Sequence, residues 1–250
     1  MSLEMKFVHI QPGTFTMGGT RQKDNPIRRV TITKGFRMAS TPVTQAQWQA
    51  IMGTNPSYFQ GEDRPVEKVS WSECEEFCRK ISERMGRAMR LPTEAEWEYA
   101  CRAGTLTDYW NGNGVESLKL VGWFNGTSEK DSLRNEKEAN RFDKKPYEHE
   151  CSRQCWALNH ETRPVAKLPA NAWGIHDVHG NVWEWCSDWY GPLSTDPQID
   201  PTGALGGECR VLRGGSFGSE AEGCFSACRG YVRPDSRGMT IGLRVCYNKD

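Results

Sequence analysis

The chain has 250 residues with 32 basic and 32 acidic side chains, a formal net charge of zero. That balance argues against nucleic acid or an anionic membrane surface as the main partner. No apolar run approaches the roughly 18 residues of a membrane-spanning helix, so no transmembrane segment is expected.

Hydrophobic residues make up 37%, but ten Trp, nine Phe and seven Tyr supply bulk. Large rings bury as much area as several aliphatic side chains, so one core over residues 1–250 is expected. Plentiful Gly and Pro place much of the backbone in turns and fixed loops. The opening Met1–Lys6 has no signal-peptide pattern. The expected location is cytoplasmic, or the cell surface if the chain is a trimmed mature form.

In chain order, residues 5–16 alternate loosely around Pro12-Gly13 and predict a hairpin. Val30–Thr33 predicts a strand. Three helix starts follow, each with a capping box. Thr44 with Gln47 opens a helix carrying Trp48 and Ile51. Ser70 with Glu73 opens one carrying Phe77, Cys78, Ile81 and Met85. Thr93 with Glu96 opens one carrying Trp97 and Cys101. Glu129–Glu150 is charged and poor in apolar anchors, so a surface insertion is expected around 127–162. Its His149, Cys151 and Cys155 read as a solvated loop ahead of a metal site. Asn125-Gly126-Thr127 matches a glycosylation sequon, which matters only in a secreted eukaryotic protein. Val182–Cys186 predicts a strand with large side chains on one face. Val211–Phe217 predicts a strand broken by Gly214-Gly215. Ile241–Cys246 predicts a last strand. Between the last two lies an irregular stretch that ordered strands would hold out as a recognition surface.

Ten cysteines are many for a cytosolic protein. Cys74/Cys78, Cys151/Cys155 and Cys224/Cys228 are each spaced four apart. That spacing shares a helix face but is too long for an unstrained disulfide. Zinc-ribbon CxxC pairs are absent. Buried small hydrophobes, disulfides and a metal site all remain open, the first being preferred.

Several segments resemble the formylglycine-generating-enzyme, or sulfatase-modifying-factor, family. They are Ile10–Gly18, Pro42-Val43-Thr44, Pro65–Trp71, Arg90–Ala100, Asn171–Ile175, Gly180–Tyr190 and Arg213–Ser216. They stand in family order across nearly the whole chain. The resemblance implies an α+β, C-type-lectin-like fold with a small antiparallel sheet and long ordered loops. Members of the family differ in activity. Some oxidise a sulfatase cysteine with copper and oxygen, and others keep the scaffold for binding alone.

In the enzymes, one copper cysteine lies three residues after the Gly-Gly-Ser serine and the other five residues later. Ser216 matches that serine, so the two positions carried over are Ser219 and Cys224. Cuprous ion favours thiolate sulfur, and a serine hydroxyl stays protonated at neutral pH. Cys224 with Cys228 is an alternative pair that needs a different local backbone. The resemblance also implies a structural calcium site formed by the side chains of Asp177 and Glu184 and the carbonyls of Gly180 and Val182. Oxygen ligands of this kind suit calcium. The competing reading is a buried acidic pair held by backbone N–H groups. His176 and His179, spaced three apart, point only weakly to a transition metal.

Within the family, the chain is most similar to the variable proteins of diversity-generating retroelements. Their C-terminal cassette resembles Arg213-Gly-Gly-Ser-Phe217, Cys224, Arg229, Pro234, Arg237 and Gly242-Leu243-Arg244. The resemblance implies a non-catalytic, monomeric scaffold with no cofactor required. Its recognition segment, 213–244, would display Ser219, Glu220, Glu222, Phe225, Tyr231, Val232, Arg233, Ser236, Met239 and Thr240 to a protein or other macromolecular ligand. The alternative is a copper-dependent formylglycine-generating oxygenase acting on sulfatase cysteines.

Overall fold

Each capping box starts a helix. In the computed structural model, which describes residues 4–21, 24–125 and 161–248, α1 (Gln45–Met52) begins after Thr44, α2 (Trp71–Met85) after Ser70 and α3 (Glu94–Arg102) after Thr93. At all three, the cap hydroxyl accepts from the backbone N–H three residues on. The Gln or Glu there reaches back to the cap N–H. These reciprocal bonds satisfy donors that a helix start otherwise leaves bare. α2 buries Cys74, Phe77, Cys78 and Ile81, the spacing of one helical face. α3 is buried on every side, its Glu94, Glu96, Glu98 and Arg102 included. A short α4 (Val115–Lys119) follows.

Eleven strands are described: β1 (Phe7–Ile10), β2 (Gly13–Met17), β3 (Arg28–Ile32), β4 (Phe36–Ala39), β5 (Met89–Arg90), β6 (Trp183–Trp189), β7 (Gln198–Ile199), β8 (Arg210–Arg213), β9 (Arg229–Val232), β10 (Ile241–Gly242) and β11 (Cys246–Asn248). They form sheets of order β1-β4-β11-β5, β10-β6-β8-β9 and β2-β3-β7.

Three expectations are corrected here. Residues 5–16 are not a hairpin. β1 pairs with β4 (Ile10 opposite Phe36) and β2 with β3 (Gly13 opposite Ile32). The Gln11-Pro12 link carries the chain from one sheet into another instead of folding it back. The single small antiparallel sheet is three sheets, two of which contain a parallel pair, β6 with β10 and β3 with β7. The last strand is two. β10 joins β6 and β11 joins β4, while Leu243 and Val245 between them give their carbonyls to the N–H groups of Val43 (2.9 Å) and Ala39 (2.9 Å). The expected insertion at 127–162 lies outside the described residues except for Glu161 and Thr162.

Two large apolar clusters fill the interior, with a smaller third made by Tyr109, Leu118, Phe124, Cys224 and Phe225. One joins α1, α2 and the β6–β8 side through Trp48, Phe77, Trp185, Leu212 and Leu243. The other joins β2, β3, β4 and α3 through Val30, Phe36, Trp97 and Ile175. Trp48 stacks on Phe77 at 5.1 Å. Trp185 is fully buried and its indole N–H donates to the Val69 carbonyl at 2.9 Å, so a ring of this size costs no unpaired donor. No described helix is long and apolar enough to cross a membrane.

Candidate ligand-binding face

β8 is followed by Gly214-Gly215, both at positive φ. At Gly215 a side chain is excluded: an added Cβ would lie 2.5 Å from the Cys224 Sγ and 2.8 Å from the Gly223 carbonyl. Backbone therefore passes directly over Cys224, and the next residues turn inward. Ser216 N–H donates to Ser219 Oγ at 3.0 Å, and the two hydroxyl oxygens are 3.2 Å apart. Ser219 is buried, and Cys224 fully so. Burial pushes the Cys224 thiol well above its ordinary value, against a hydrogen bond from the Ser216 backbone. The carried-over copper positions thus lie beside each other around Ser216, one a hydroxyl and the other a protonated thiol.

His179 seals this region from below. It is fully buried, and burial lowers its pKa to about 4, so the ring is neutral. Its Nε2 faces the Trp110 N–H at 3.1 Å and must accept; its Nδ1 lies 2.8 Å from the Cys224 carbonyl and must donate. Both nitrogens are spent, which fixes the tautomer and removes this ring as a metal ligand. His176 Nδ1 faces the Leu168 carbonyl at 3.0 Å.

The segment is pinned at both ends by buried ion pairs. Arg213 binds Glu98 and the carbonyls of Ser226 and Cys228. Arg102 shares Glu98 at 2.8 Å. Burial tends to raise the Glu98 pKa, but Arg213 and Arg102 outweigh it and hold the carboxyl below its ordinary value. Arg244 grips Glu184 through Nη2–Oε1 (2.8 Å) and Nε–Oε2 (2.9 Å), and Trp97 donates to Oε2 at 2.7 Å.

That last arrangement bears on the calcium expectation. With Nε also 3.2 Å from Oε1, its one N–H is shared between the two oxygens, so three donors in all face the Glu184 carboxylate. A cation at Glu184 would therefore lie beside a guanidinium. The Gly180 N–H is taken by the Gly214 carbonyl at 2.7 Å, and an added Cβ at Gly180 would lie 1.9 Å from the Trp123 carbonyl oxygen. Gly180 therefore permits a close backbone crossing. Val182 is buried. Asp177 keeps an unpaired buried Oδ1, while its Oδ2 accepts from the Ala166 N–H at 2.7 Å. Burial raises its pKa. Among the described residues no group of three or more His, Cys, Asp or Glu is placed to hold a metal.

The ten expected recognition residues divide. Glu220, Glu222, Tyr231 and Arg233 are exposed; Val232, Ser236, Met239 and Thr240 are half-buried. Ser219 and Phe225 are buried and cannot be displayed, a correction with a local cause in each case. Ser219 is tied to Ser216. Phe225 packs against Tyr109 at 5.3 Å beneath the Arg21 guanidinium at 4.4 Å.

The segment also meets two different neighbourhoods. Glu220 accepts from Asn125 at 2.7 Å, and Ser226 N–H bonds the Asp108 carbonyl at 2.8 Å. Residues 231–240 instead meet α2 and β6: Trp71 N–H bonds the Pro234 carbonyl, and Trp183 N–H bonds Thr240. Here the sequence reading missed a cluster. Arg210 lies between Trp71 (3.7 Å) and Trp189 (3.5 Å), and Tyr190 stacks on Tyr231 at 3.9 Å. The available signal was the aromatic run continuing past Cys186 to Tyr190.

Residues 2–249 match the family described as the sulfatase-modifying factor enzyme 1-like domain. The chain belongs to this family. Treponema denticola variable protein 1 superposes with a TM-score of 0.81 at 26% identity, over 97% of this chain and 95% of that one. The C-type-lectin-like α+β fold of the family is therefore the fold of this chain. Chaperone protein LppX of Paenibacillus barcinonensis is 28% identical, covering 97% of this chain and 89% of its own. The formylglycine-generating enzyme of Mus musculus is 31% identical over 81% of this chain, which spans 49% of that enzyme.

Proposed function

We propose that this member of the family is a non-catalytic binding protein that presents residues 220–240 to a protein or other macromolecular ligand. The observation that carries the reading is Ser219. Its hydroxyl is buried against Ser216, at the position where the copper enzymes need a second thiolate. A protonated Cys224 facing a hydroxyl at that position is a poor substitute for two opposed thiolates. Similarity to a variable protein supports the same reading, with the exposed Glu220, Glu222, Tyr231 and Arg233 as the displayed set. Such a domain requires no cofactor and works as a monomer. Retroelement diversification of the segment is the matching origin. A reverse transcriptase gene beside a near-copy of the coding sequence for 213–244 tests it.

The competing reading is a copper-dependent oxygenase, favoured by Cys224 and by the similarity to the mouse enzyme. Competition with a Cu(I) chelator separates the two. The binding reading expects no retained copper and no oxidation of a Cys-x-Pro-x-Arg peptide. Stoichiometric copper that is lost on Cys224→Ser would overturn it.

A further inference from the structure

Tyr231 is the outer end of a column that begins in the core. Glu94, buried within α3, takes Arg229 in a two-bonded pair, Nε–Oε1 at 2.6 Å and Nη2–Oε2 at 3.0 Å. The Arg229 guanidinium carbon lies 4.5 Å from the centre of the Tyr190 ring. Tyr190 in turn stacks on Tyr231, with centroids 3.9 Å apart and planes inclined by 26°. Further bonds hold the middle of the column. The Tyr190 hydroxyl bonds Asp24, and Arg229 Nη1 donates to the carbonyls of Asp24 (3.1 Å) and Gly191 (3.3 Å). One face of the Tyr231 ring is thereby fixed, while 41% of the residue is open to solvent. An aromatic anchor already held in place loses little side-chain freedom when a ligand covers it.

Arg233 stands two residues further on. It is exposed and makes no ion pair among the described residues, whereas Arg237 is paired with Glu73 at 2.9 Å. Arg233 follows β9 directly, one residue past the pairing of Val232 with Arg210 and two past that of Tyr231 with Val211, and the Cys209 carbonyl next to Arg210 holds the Tyr190 N–H at 2.8 Å. Arg233 therefore lies beside the column. A guanidinium with free donors matches a carboxylate in a two-bonded fork. Glu208 stands beside Cys209 in the chain, and a carboxylate nearby repels a dianionic phosphate more than a monoanionic carboxylate.

We propose that Tyr231 and Arg233 form one subsite for an acidic–aromatic protein segment. A planar side chain covers the outer face of Tyr231 while a neighbouring Asp or Glu engages Arg233. Tyr190 and Arg229 act as positioning residues. The assignment rests on the binding reading above, and deepens it by naming the chemistry of the partner.

The test is selection of random peptides displayed on phage against the full chain, followed by affinity measurement of the selected peptides by calorimetry. The wild-type chain should enrich an aromatic residue next to Asp or Glu. Tyr231→Ala should remove the aromatic preference and weaken a selected peptide by roughly tenfold or more. Arg233→Glu should turn the acidic preference into one for Lys or Arg. Tyr190→Leu should weaken binding while the melting temperature shows the variant folded, the result expected of a positioning residue. Several outcomes overturn the subsite. One is enrichment that ignores both Tyr231→Ala and Arg233→Glu. Another is preference for a phosphotyrosine peptide over its Glu counterpart. If the selected peptides depend on Glu220 and Glu222 instead, the subsite falls and the binding reading stands. If the folded wild-type chain enriches no peptide, both fall.

Discussion

The first half of the segment between Arg213 and Arg244 turns inward, and the second half turns outward. Residues 214–226 lie under close backbone crossings, with Ser219, Cys224, Phe225 and Ser226 buried. Residues 231–240 carry one exposed or half-buried side chain after another. The first half holds four Gly, three Ser and two charged residues and the second one Gly, one Ser and three charged residues, but composition alone does not say which half is buried. What separates them is the neighbour each meets. The first half lies against His179 and Tyr109, where every polar atom must find a partner. The second runs along α2 and β6, where half of each residue can face water. A segment expected to face a ligand can thus be core over much of its length.

Substitution should show that contrast most strongly at the ion pairs and rings beneath the segment. Arg244→Ala leaves Glu184 buried and unpaired and should cost about 3–5 kcal/mol. Trp183→Ala should cost about as much through lost packing. Phe225→Ala belongs with these, at about 3 kcal/mol. The triple change Tyr231→Ala, Arg233→Ala, Met239→Ala should stay within about 0.5 kcal/mol per site and act on binding instead. Denaturant midpoints for the four variants check the order. A triple variant as unstable as Phe225→Ala would erase the distinction between the halves.

An effect of similar size is expected from pH. Glu67 is fully buried; its Oε1 accepts from the N–H groups of Tyr58 (2.5 Å) and Phe59 (2.8 Å), while Oε2 has no partner. Burial raises its pKa to about 7. Burial, with the nearby Glu94 charge, raises that of Asp188 to about 7 as well. Both groups hold protons in the folded chain that the unfolded chain has released. Stability should therefore rise as pH falls from about 8 toward 5, by up to about 3 kcal/mol for each group. Glu67→Gln and Asp188→Asn should each flatten the slope. A melting temperature that falls steadily over that range in the wild-type chain counts against both assignments.

The smallest change in stability, and the sharpest in chemistry, is expected from Ser219→Cys. The side chain gains one sulfur beside Ser216 and a second soft ligand near Cys224. Cu(I) retention against a chelator should appear in this variant and be absent from the wild type. A variant that binds copper no better shows that the backbone around Ser216, and not the missing sulfur alone, forbids the site. For calcium, the Arg244 guanidinium already seated on Glu184 predicts a melting temperature that neither chelator nor added calcium moves.

The helix starts were legible because a capping box is local: two residues three apart decide it, and Thr44, Ser70 and Thr93 all behave as read. The fold class came from motifs spread along the chain. The pairing of strands was not legible. Whether Gly13 turns back on Ile10 or leads away depends on β3 and β4, far off in sequence. The same holds for Glu184, whose chemistry is set by Arg244, sixty residues away. Of the expected recognition residues, Tyr231 and Arg233 are exposed. The buried Ser219 and Phe225 were misplaced because nothing local marks the close crossings that bury them.

β11 lies between β4 and β5, and β4 also carries β1. The sheet that holds the first strand is thus completed by residues 246–248. On the ribosome, β4 has an open edge for more than 200 residues of synthesis, until Cys246 pairs with Met38. Pairing across so long a stretch of chain makes for slow folding. Until it occurs, the newly made protein carries an unpaired strand edge, the kind of surface that recruits other chains.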